Sequence, residues 1–95
     1  MAVVADLDDS APLRGLVRLP RRIRWSGEPI EYDLSNERQL RSVYEQVLRE
    51  GTDEDVRRFV RASTLTEVWD ELYLPQFVRA AWEPWIRKRR PPQSA

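Results

Sequence analysis

The chain lacks cysteine and histidine, and only three of its 95 residues are glycine. The absence of cysteine excludes a disulfide framework and a thiolate metal site, and it is typical of a cytoplasmic protein. The absence of histidine removes the commonest general base and the commonest metal ligand. A Ser-His catalytic triad is therefore excluded, and the scattered glycines predict no phosphate-binding loop.

Long hydrophobic runs are also missing. No apolar stretch approaches the roughly 20 residues of a membrane-spanning helix, so we expect no membrane partner. The first residues, MAVVADLDDSAP, lack the basic segment and apolar centre of a secretory signal. A chain of 95 residues is long enough for one small domain with a thin core.

Charge is balanced overall but unevenly distributed. The sixteen basic and sixteen acidic residues give a formal net charge of zero. Residues 1–14 contain three aspartates and show little periodicity, which predicts a flexible acidic tail. Residues 14–24 contain five arginines and no acid, and residues 87–90 are all basic. Residues 91–95 are predicted to be a disordered tail, so the single domain is expected to span residues 15–90.

The clearest helical pattern covers residues 36–51. Its apolar residues follow the spacing i, i+3, i+4, i+7 and i+8, and they are Leu40, Val43, Tyr44, Val47 and Leu48. Asn36 and Gln39 predict a capping box at the start of the helix. Gly51 predicts a left-handed closing residue at its end. We expect this apolar stripe to be the centre of the core.

Two stretches before this helix have the period of two that is typical of β-strands. Ile23 and Trp25 alternate with arginines, and a second run alternates apolar residues with acids. Residues 26–29, Ser-Gly-Glu-Pro, separate the two runs and predict a turn. The pattern therefore predicts a β-hairpin whose apolar face packs on the helices. Its inward residues would be Ile23, Trp25, Ile30, Tyr32 and Leu34.

Three further helices are predicted after residue 51. Thr52 is a cap for a short helix with three acids in its first turn, and Thr64 with Glu67 predicts a capping box for the next. Pro75 suits the first position of a fourth helix, which Pro84 should kink or restart. The apolar face of that helix is predicted to be Phe77, Val78, Ala81, Trp82, Trp85 and Ile86. The expected fold class is mainly α (α+β), a short N-terminal β-hairpin followed by three to four packed helices.

The carboxylates predict no catalytic site. A working acid-base pair needs two carboxylates in a pocket with separated pKa values. The acidic runs here, residues 53–55 and 70–71, fall in first turns or on outer helix faces, where capping and solvation explain them. No EF-hand spacing is present. We therefore predict no catalytic, cofactor-binding or metal-binding residue.

Nucleic-acid binding is one interpretation of the basic segments. The arginines of residues 14–24 and the basic run 87–90 could contact phosphates, as in a transcriptional regulator that uses the basic hairpin and the C-terminal tail. Residues 64–74, however, would be the recognition helix of a helix-turn-helix, and they carry three acids and no base. Any binding to nucleic acid is therefore expected to be weak and driven by phosphate contacts.

Protein binding is the other interpretation. Four Trp, three Tyr and two Phe are many for so thin a core, and Trp, Tyr and Arg dominate interface hot spots. We expect that some of these aromatic side chains need a second chain to cover them. The predicted partner-binding residues lie on the hairpin and the last helix, and they are Arg22, Arg24, Trp25, Tyr32, Trp82, Trp85, Arg87 and Arg89.

Three stretches carry a resemblance to a known group of proteins: LPRRIRWSGEPIEYDL, VYEQVLREGTDEDVRRFV and WDELYLPQFVRAAWEPWIRKRR. Together they resemble small actinobacterial proteins encoded beside AbiEii-type nucleotidyltransferase toxins, over residues 19 to 90. The resemblance implies a cytoplasmic antitoxin that binds and neutralises such a toxin. It also implies that the partner has an acidic, metal-binding cleft, which the arginines of the hairpin could meet. The oligomeric state is left open.

Overall fold

Residues 3–23 and 30–90, the part of the chain that the computed structural model describes, form a two-stranded antiparallel hairpin followed by four α-helices. The predicted class, mainly α (α+β), is therefore confirmed. No helix in these ranges is long and apolar enough to cross a lipid bilayer. The elements in chain order are β1 (Leu16–Arg18), β2 (Glu31–Asp33), α1 (Glu37–Glu50), α2 (Asp53–Phe59), α3 (Ala62–Val68), a 3-10 turn (Trp69–Glu71) and α4 (Gln76–Arg89).

Helix α1 occupies the centre of the core, as its periodicity predicts. All five residues of its apolar stripe are buried. The Asn36 side chain caps the helix by accepting a hydrogen bond from the Gln39 N–H at 3.2 Å. The second half of the predicted capping box is absent, because the Gln39 side-chain oxygen accepts from the backbone N–H of Asp33 at 2.8 Å instead. That bond ties the end of β2 to the first turn of α1.

Gly51 closes α1 for a different reason from the predicted one. Its φ is −82°, an extended conformation that any residue adopts, so the expected left-handed closure is wrong. What the position lacks is space. A Cβ atom there would lie 2.6 Å from the carbonyl oxygen of Val47 and 3.0 Å from the Cβ of Asp55. The glycine therefore allows α2 to begin directly against the last turn of α1.

Replacing Gly51 by alanine should destabilise the fold by about 1–3 kcal/mol, because the added methyl group meets backbone that cannot move without disturbing both helices. Urea unfolding followed by circular dichroism measures the shift. Ala80, which is exposed on α4, provides the control, since Ala80→Ser changes a side chain that no core residue covers. Equal urea midpoints for Gly51→Ala and the wild type would show that the junction accommodates a methyl group at this position.

The hairpin is present, but its first strand is not the predicted one. β1 comprises residues 16–18 and pairs Val17 with Tyr32 in an antiparallel register. A bond from the Leu19 N–H to the Ile30 carbonyl, 3.0 Å, continues the pairing. Pro20 then ends the ladder, since it has no N–H to donate. Ile23 lies in a turn closed by its N–H on the Pro20 carbonyl, at 3.0 Å, and is buried. The predicted strand residues Arg24 and Trp25 and the turn 26–29 lie outside the described residues.

The later helices agree with the sequence only in part. Thr52 caps α2, with Asp55 completing a capping box. Pro75 is the N-cap of α4, one position before the predicted one. The helix continues through Pro84, which is exposed, so it does not restart there. The predicted Thr64 capping box is absent, since α3 begins at Ala62 and its N-cap residue offers no side-chain bond.

Residues 4–9, called here the strap, correct the prediction of a flexible acidic tail. Val4 and Leu7 are each only 2% exposed and belong to the core. The Trp85 indole N–H donates to the Ala5 carbonyl at 3.1 Å, and the Arg89 guanidinium donates to the Leu7 carbonyl at 3.0 Å. The ordered domain therefore includes residues that the sequence pattern assigned to a tail. The predicted tail of residues 91–95 lies outside the described residues.

The strap also supplies the missing cap of α3. Asp9 accepts two hydrogen bonds from Ser63, one from its backbone N–H at 2.8 Å and one from its hydroxyl at 2.6 Å. The Asp8 carbonyl accepts from the N–H of Ala62 at 2.9 Å. These bonds satisfy N–H groups that a helix start leaves unpaired. A carboxylate at this end of the helix is also favoured by the helix dipole.

Asp9→Ala should lower the free energy of unfolding by about 1–2 kcal/mol, the usual loss when a helix cap is removed. Asp8→Ala is the matched control. The Asp8 side chain bonds only with Ser10 among the described residues, and its contribution to α3 comes from the backbone. The measurement is urea unfolding at neutral pH. If the two variants unfold at the same urea concentration, Asp9 is not the cap that stabilises α3.

Candidate protein-interaction surface

Most of the aromatic side chains are buried in the core. The buried set includes three of the predicted partner-binding residues, Tyr32, Trp82 and Trp85. Two of the described aromatic residues are exceptions. Tyr73 is 82% exposed and Phe77 is 60% exposed. The buried aromatic residues are Tyr32, Tyr44, Phe59, Trp69, Trp82 and Trp85.

The three buried members of the predicted site are held by internal contacts. The Tyr32 hydroxyl accepts from the buried Gln46 amide at 2.8 Å. Trp82 and Trp85 pack edge to face, with ring centroids 5.3 Å apart. The indole N–H of Trp82 is buried and has no acceptor in the described part of the chain. Because all three rings are buried, none of them presents an aromatic surface to a partner.

The predicted arginines do not form one surface either. Both terminal nitrogens of Arg22 bond the Asp55 carboxylate, one of them at 2.8 Å. The Arg89 guanidinium lies 4.4 Å from the centre of the Trp85 ring and also bonds the strap. Arg24 and Trp25 lie outside the described residues. Arg87 is exposed and makes no hydrogen bond or ion pair within the ranges that the structure describes.

The pair of Arg22 and Asp55 is structural. The hydrogen bond from Arg22 lowers the pKa of the Asp55 carboxyl from 3.8 to about 2, against the opposing effect of burial. Hydrogen bonds from the backbone N–H and the hydroxyl of Thr52 contribute to the same lowering of the pKa. The carboxylate therefore caps α2 and holds the segment after β1 against it. A side chain engaged in this way is a poor candidate for contact with a partner.

This pair predicts how stability depends on pH. Because the pKa of Asp55 is lower in the folded state than in the unfolded chain, its contribution is complete above about pH 4 and is lost as the pH falls through about 2. Arg22 is half exposed, so screening limits the contribution to about 1–2 kcal/mol. Asp55→Asn should therefore destabilise the protein at about pH 6 and make much less difference at about pH 2.5.

Urea unfolding at the two pH values measures that difference. Glu54→Gln is the control, since Glu54 is the neighbouring acid, is exposed and forms no ion pair with another described residue. If the wild type and Asp55→Asn differ in free energy of unfolding by the same amount at both pH values, the electrostatic explanation is contradicted.

The outer face of α4, defined by Phe77, Ala80, Pro84, Arg87 and Lys88, points away from the core. All five side chains are exposed, whereas the opposite side of the helix is buried. An outward helix face is usually charged or polar along its length. This one is apolar in its first half, basic in its second half, and carries no acid. It extends roughly 16 Å from Phe77 to Lys88.

The segment before α4 is fixed in place, although its tyrosine ring is exposed. The backbone N–H of Tyr73 donates to the Glu45 carboxylate on α1 at 2.8 Å. The Arg79 guanidinium bonds the Leu72 carbonyl and lies 5.0 Å from the centre of the Trp69 ring. These contacts join the 3-10 turn to α4. An exposed ring on a fixed backbone loses little conformational freedom on binding.

The grooves of the molecule are weaker candidates for a binding site than the outer face of α4. A groove of about 730 Å³ beside the strap contains Asp6, Asp9 and Arg89, but these groups already bond Arg57, Ser63 and the Leu7 carbonyl. Within residues 3–23 and 30–90, no three acidic side chains come together in a way that could hold a metal ion.

The exposed pair Tyr73 and Phe77 was not predicted as a contact site. Phe77 was assigned to the buried face because it is apolar and adjacent to Val78. Its position could have been found from the helical period, since Phe77 shares a face with Pro84 and Lys88 at i+7 and i+11. Comparison with known proteins finds no protein family, no curated protein and no solved structure that matches this chain.

Proposed function

We propose that this chain is a non-enzymatic, cytoplasmic protein of the antitoxin type, which binds and neutralises a nucleotidyltransferase toxin. One observation carries the proposal of protein binding. Tyr73 and Phe77 are exposed on a fixed part of the molecule, whereas the other described aromatic side chains are packed in the core. Aromatic residues are enriched among the few that dominate protein interfaces.

Burial of the two exposed rings would contribute favourably to the free energy of binding. Burying a phenylalanine side chain contributes about 1.5–3 kcal/mol relative to leaving it in water. Tyr73 adds an apolar ring with a hydroxyl that can bond a partner. Because both rings project from a backbone that internal bonds already hold, most of this gain is retained on binding.

The class of partner is supported by the sequence resemblance and by charge. Nucleotidyltransferases hold their metal ions with carboxylates, so a toxin of this kind has an acidic cleft. Arg87 and Lys88 are exposed basic residues that no described acid neutralises, and they suit such a cleft electrostatically. In the proposed mechanism the antitoxin covers the cleft and excludes the substrates.

The alternative, a nucleic-acid-binding regulator, has less support among the described residues. The helix that would read the groove includes α3 and the 3-10 turn, where Glu67, Asp70 and Glu71 are exposed. Asp70 also engages Arg90, one of the basic residues of the C-terminal run, at 3.2 Å. Acids on this surface would repel phosphates.

Calorimetric titration against the product of the neighbouring gene, which the proposal requires to be a nucleotidyltransferase, tests the proposal. We expect the wild type to bind. Tyr73→Ala and Phe77→Ala should each raise the dissociation constant by roughly 30- to 1000-fold, which corresponds to about 2–4 kcal/mol. Leu16→Ala is the matched control, because Leu16 is an exposed apolar residue on β1. Both aromatic rings are exposed, so circular dichroism should show all three variants folded.

Two results would contradict the proposal. Failure of the wild type to bind at micromolar concentrations would exclude the toxin as partner. A tight, sequence-specific complex with the gene's own promoter at about 150 mM salt would favour the regulator instead.

A further inference from the structure

The outer face of α4 changes character along the helix, from apolar at its start to basic at its end. Phe77 and Ala80 form its first half, and Pro84 separates them from Arg87 and Lys88 in the last turn. The nearest acid on the helix, Glu83, is half-buried and lies to one side of this face. A binding partner of this surface must present an apolar group to the start of the helix and an acidic group to its end.

We infer that this face docks an amphipathic helix of the partner, antiparallel to α4 and with carboxylates in its first turn. The inference rests on the proposed function in one respect, that the partner is a protein. It goes beyond that function by naming the contact surface, the secondary structure of the partner segment, its direction and the position of its charges.

Shape favours a helix as the occupant. The face is a ridge of about 16 Å, three helical turns long. Two helices pack with their axes about 8–10 Å apart when small residues lie at the contact, and Ala80 provides such a position. Phe77 is the large side chain beside it, suited to enter between two turns of an opposing helix.

Charge favours the antiparallel direction. Arg87 and Lys88 lie in the last turn of α4, where the helix dipole leaves partial negative charge and basic residues are favoured. An antiparallel partner helix begins at this end. Acidic residues are favoured in the first turn of any helix, so the same carboxylates would stabilise the partner helix and pair with Arg87 and Lys88. The two helix dipoles would also oppose each other favourably.

A second copy of this chain is a poorer occupant. Antiparallel pairing of two outer faces would place Gln76 and Phe77 of one copy against Arg87 and Lys88 of the other. No carboxylate lies at that end of the face, so the basic residues would lose hydration without gaining an opposite charge.

The test uses the full chain and two synthetic peptides of about 18 residues, both designed as amphipathic helices with one leucine face. One peptide has glutamates in its first turn, and the other has lysines there. Titration is followed by the backbone amide NMR signals of the protein. We expect the glutamate peptide to shift the signals of Phe77, Ala80, Arg87 and Lys88; Pro84 has no amide signal. The lysine peptide should bind about tenfold or more weakly.

Two protein variants separate the charge from the apolar contact. The double variant Arg87→Gln with Lys88→Gln should weaken the glutamate peptide about tenfold or more and remove the preference over the lysine peptide. Arg38→Gln, which changes an exposed arginine on α1, is the control and should leave binding unchanged. Phe77→Ala should weaken both peptides equally.

Four outcomes would overturn the inference. They are no shift with about 1 mM glutamate peptide, shifts confined to another surface, equal affinity for the two peptides, and a single-stranded oligonucleotide that shifts the same residues at lower concentration. Sedimentation showing that these residues already join two copies would also overturn it. Since the probes are peptides, failure here leaves the toxin titration unaffected, and failure of that titration leaves this result standing.

Discussion

Burial of the apolar stripe on α1 is the interaction that the other elements depend on. Its five residues are buried, and α2 and β2 both pack directly against this helix. Neither the hairpin, with three residues in each strand, nor α2 and α3, with seven residues each, is long enough to be stable alone in water. Each acquires its structure by covering part of the same surface.

Polar groups are placed so that this packing leaves few of them unpaired. The Tyr44 hydroxyl, at the centre of the stripe, accepts from the backbone N–H of Arg61 at 3.0 Å. Burial nevertheless raises the pKa of that hydroxyl, so it stays neutral and keeps its proton. Gln46 bonds Tyr32 in the same way on the side of the hairpin. These bonds fix the position of α3 and β2 on a surface that apolar contact alone would hold less specifically.

The parts of the fold that the sequence predicts are those decided by neighbouring residues. The spacing of α1, the Thr52 cap and the helix after Pro75 involve residues within a few positions of each other. The errors arise where the partner is distant. Asp9 caps α3 from 54 positions away, and no local pattern indicates this. The pairing of β1 with β2 was predicted wrongly, because the three residues of β1 give too short an alternation to be preferred over the longer run around Ile23.

The interaction surface was predicted less well than the fold, for a related reason. Residue type identifies aromatic and arginine side chains as good contact residues, but it does not indicate which of them are buried in the core. Trp82 and Trp85 lie on the buried side of α4, whereas Phe77 lies on the exposed side. Arg87 is the predicted contact residue that the structure leaves exposed and unpaired within the described ranges. Sequence alone gave no sign that a strap existed.

The strap has a consequence for the order of folding. Its bonds to α4 join residues 80 and 82 positions apart, so the chain must close a long loop before they form. Contacts between α1 and α2 need only a short loop and can form early. The strap is synthesised before α4, yet its site is complete only after Arg89 has been made. Val4 and Leu7 therefore lack their final packing until α4 has been made, and three neighbouring aspartates keep this segment hydrated in the meantime.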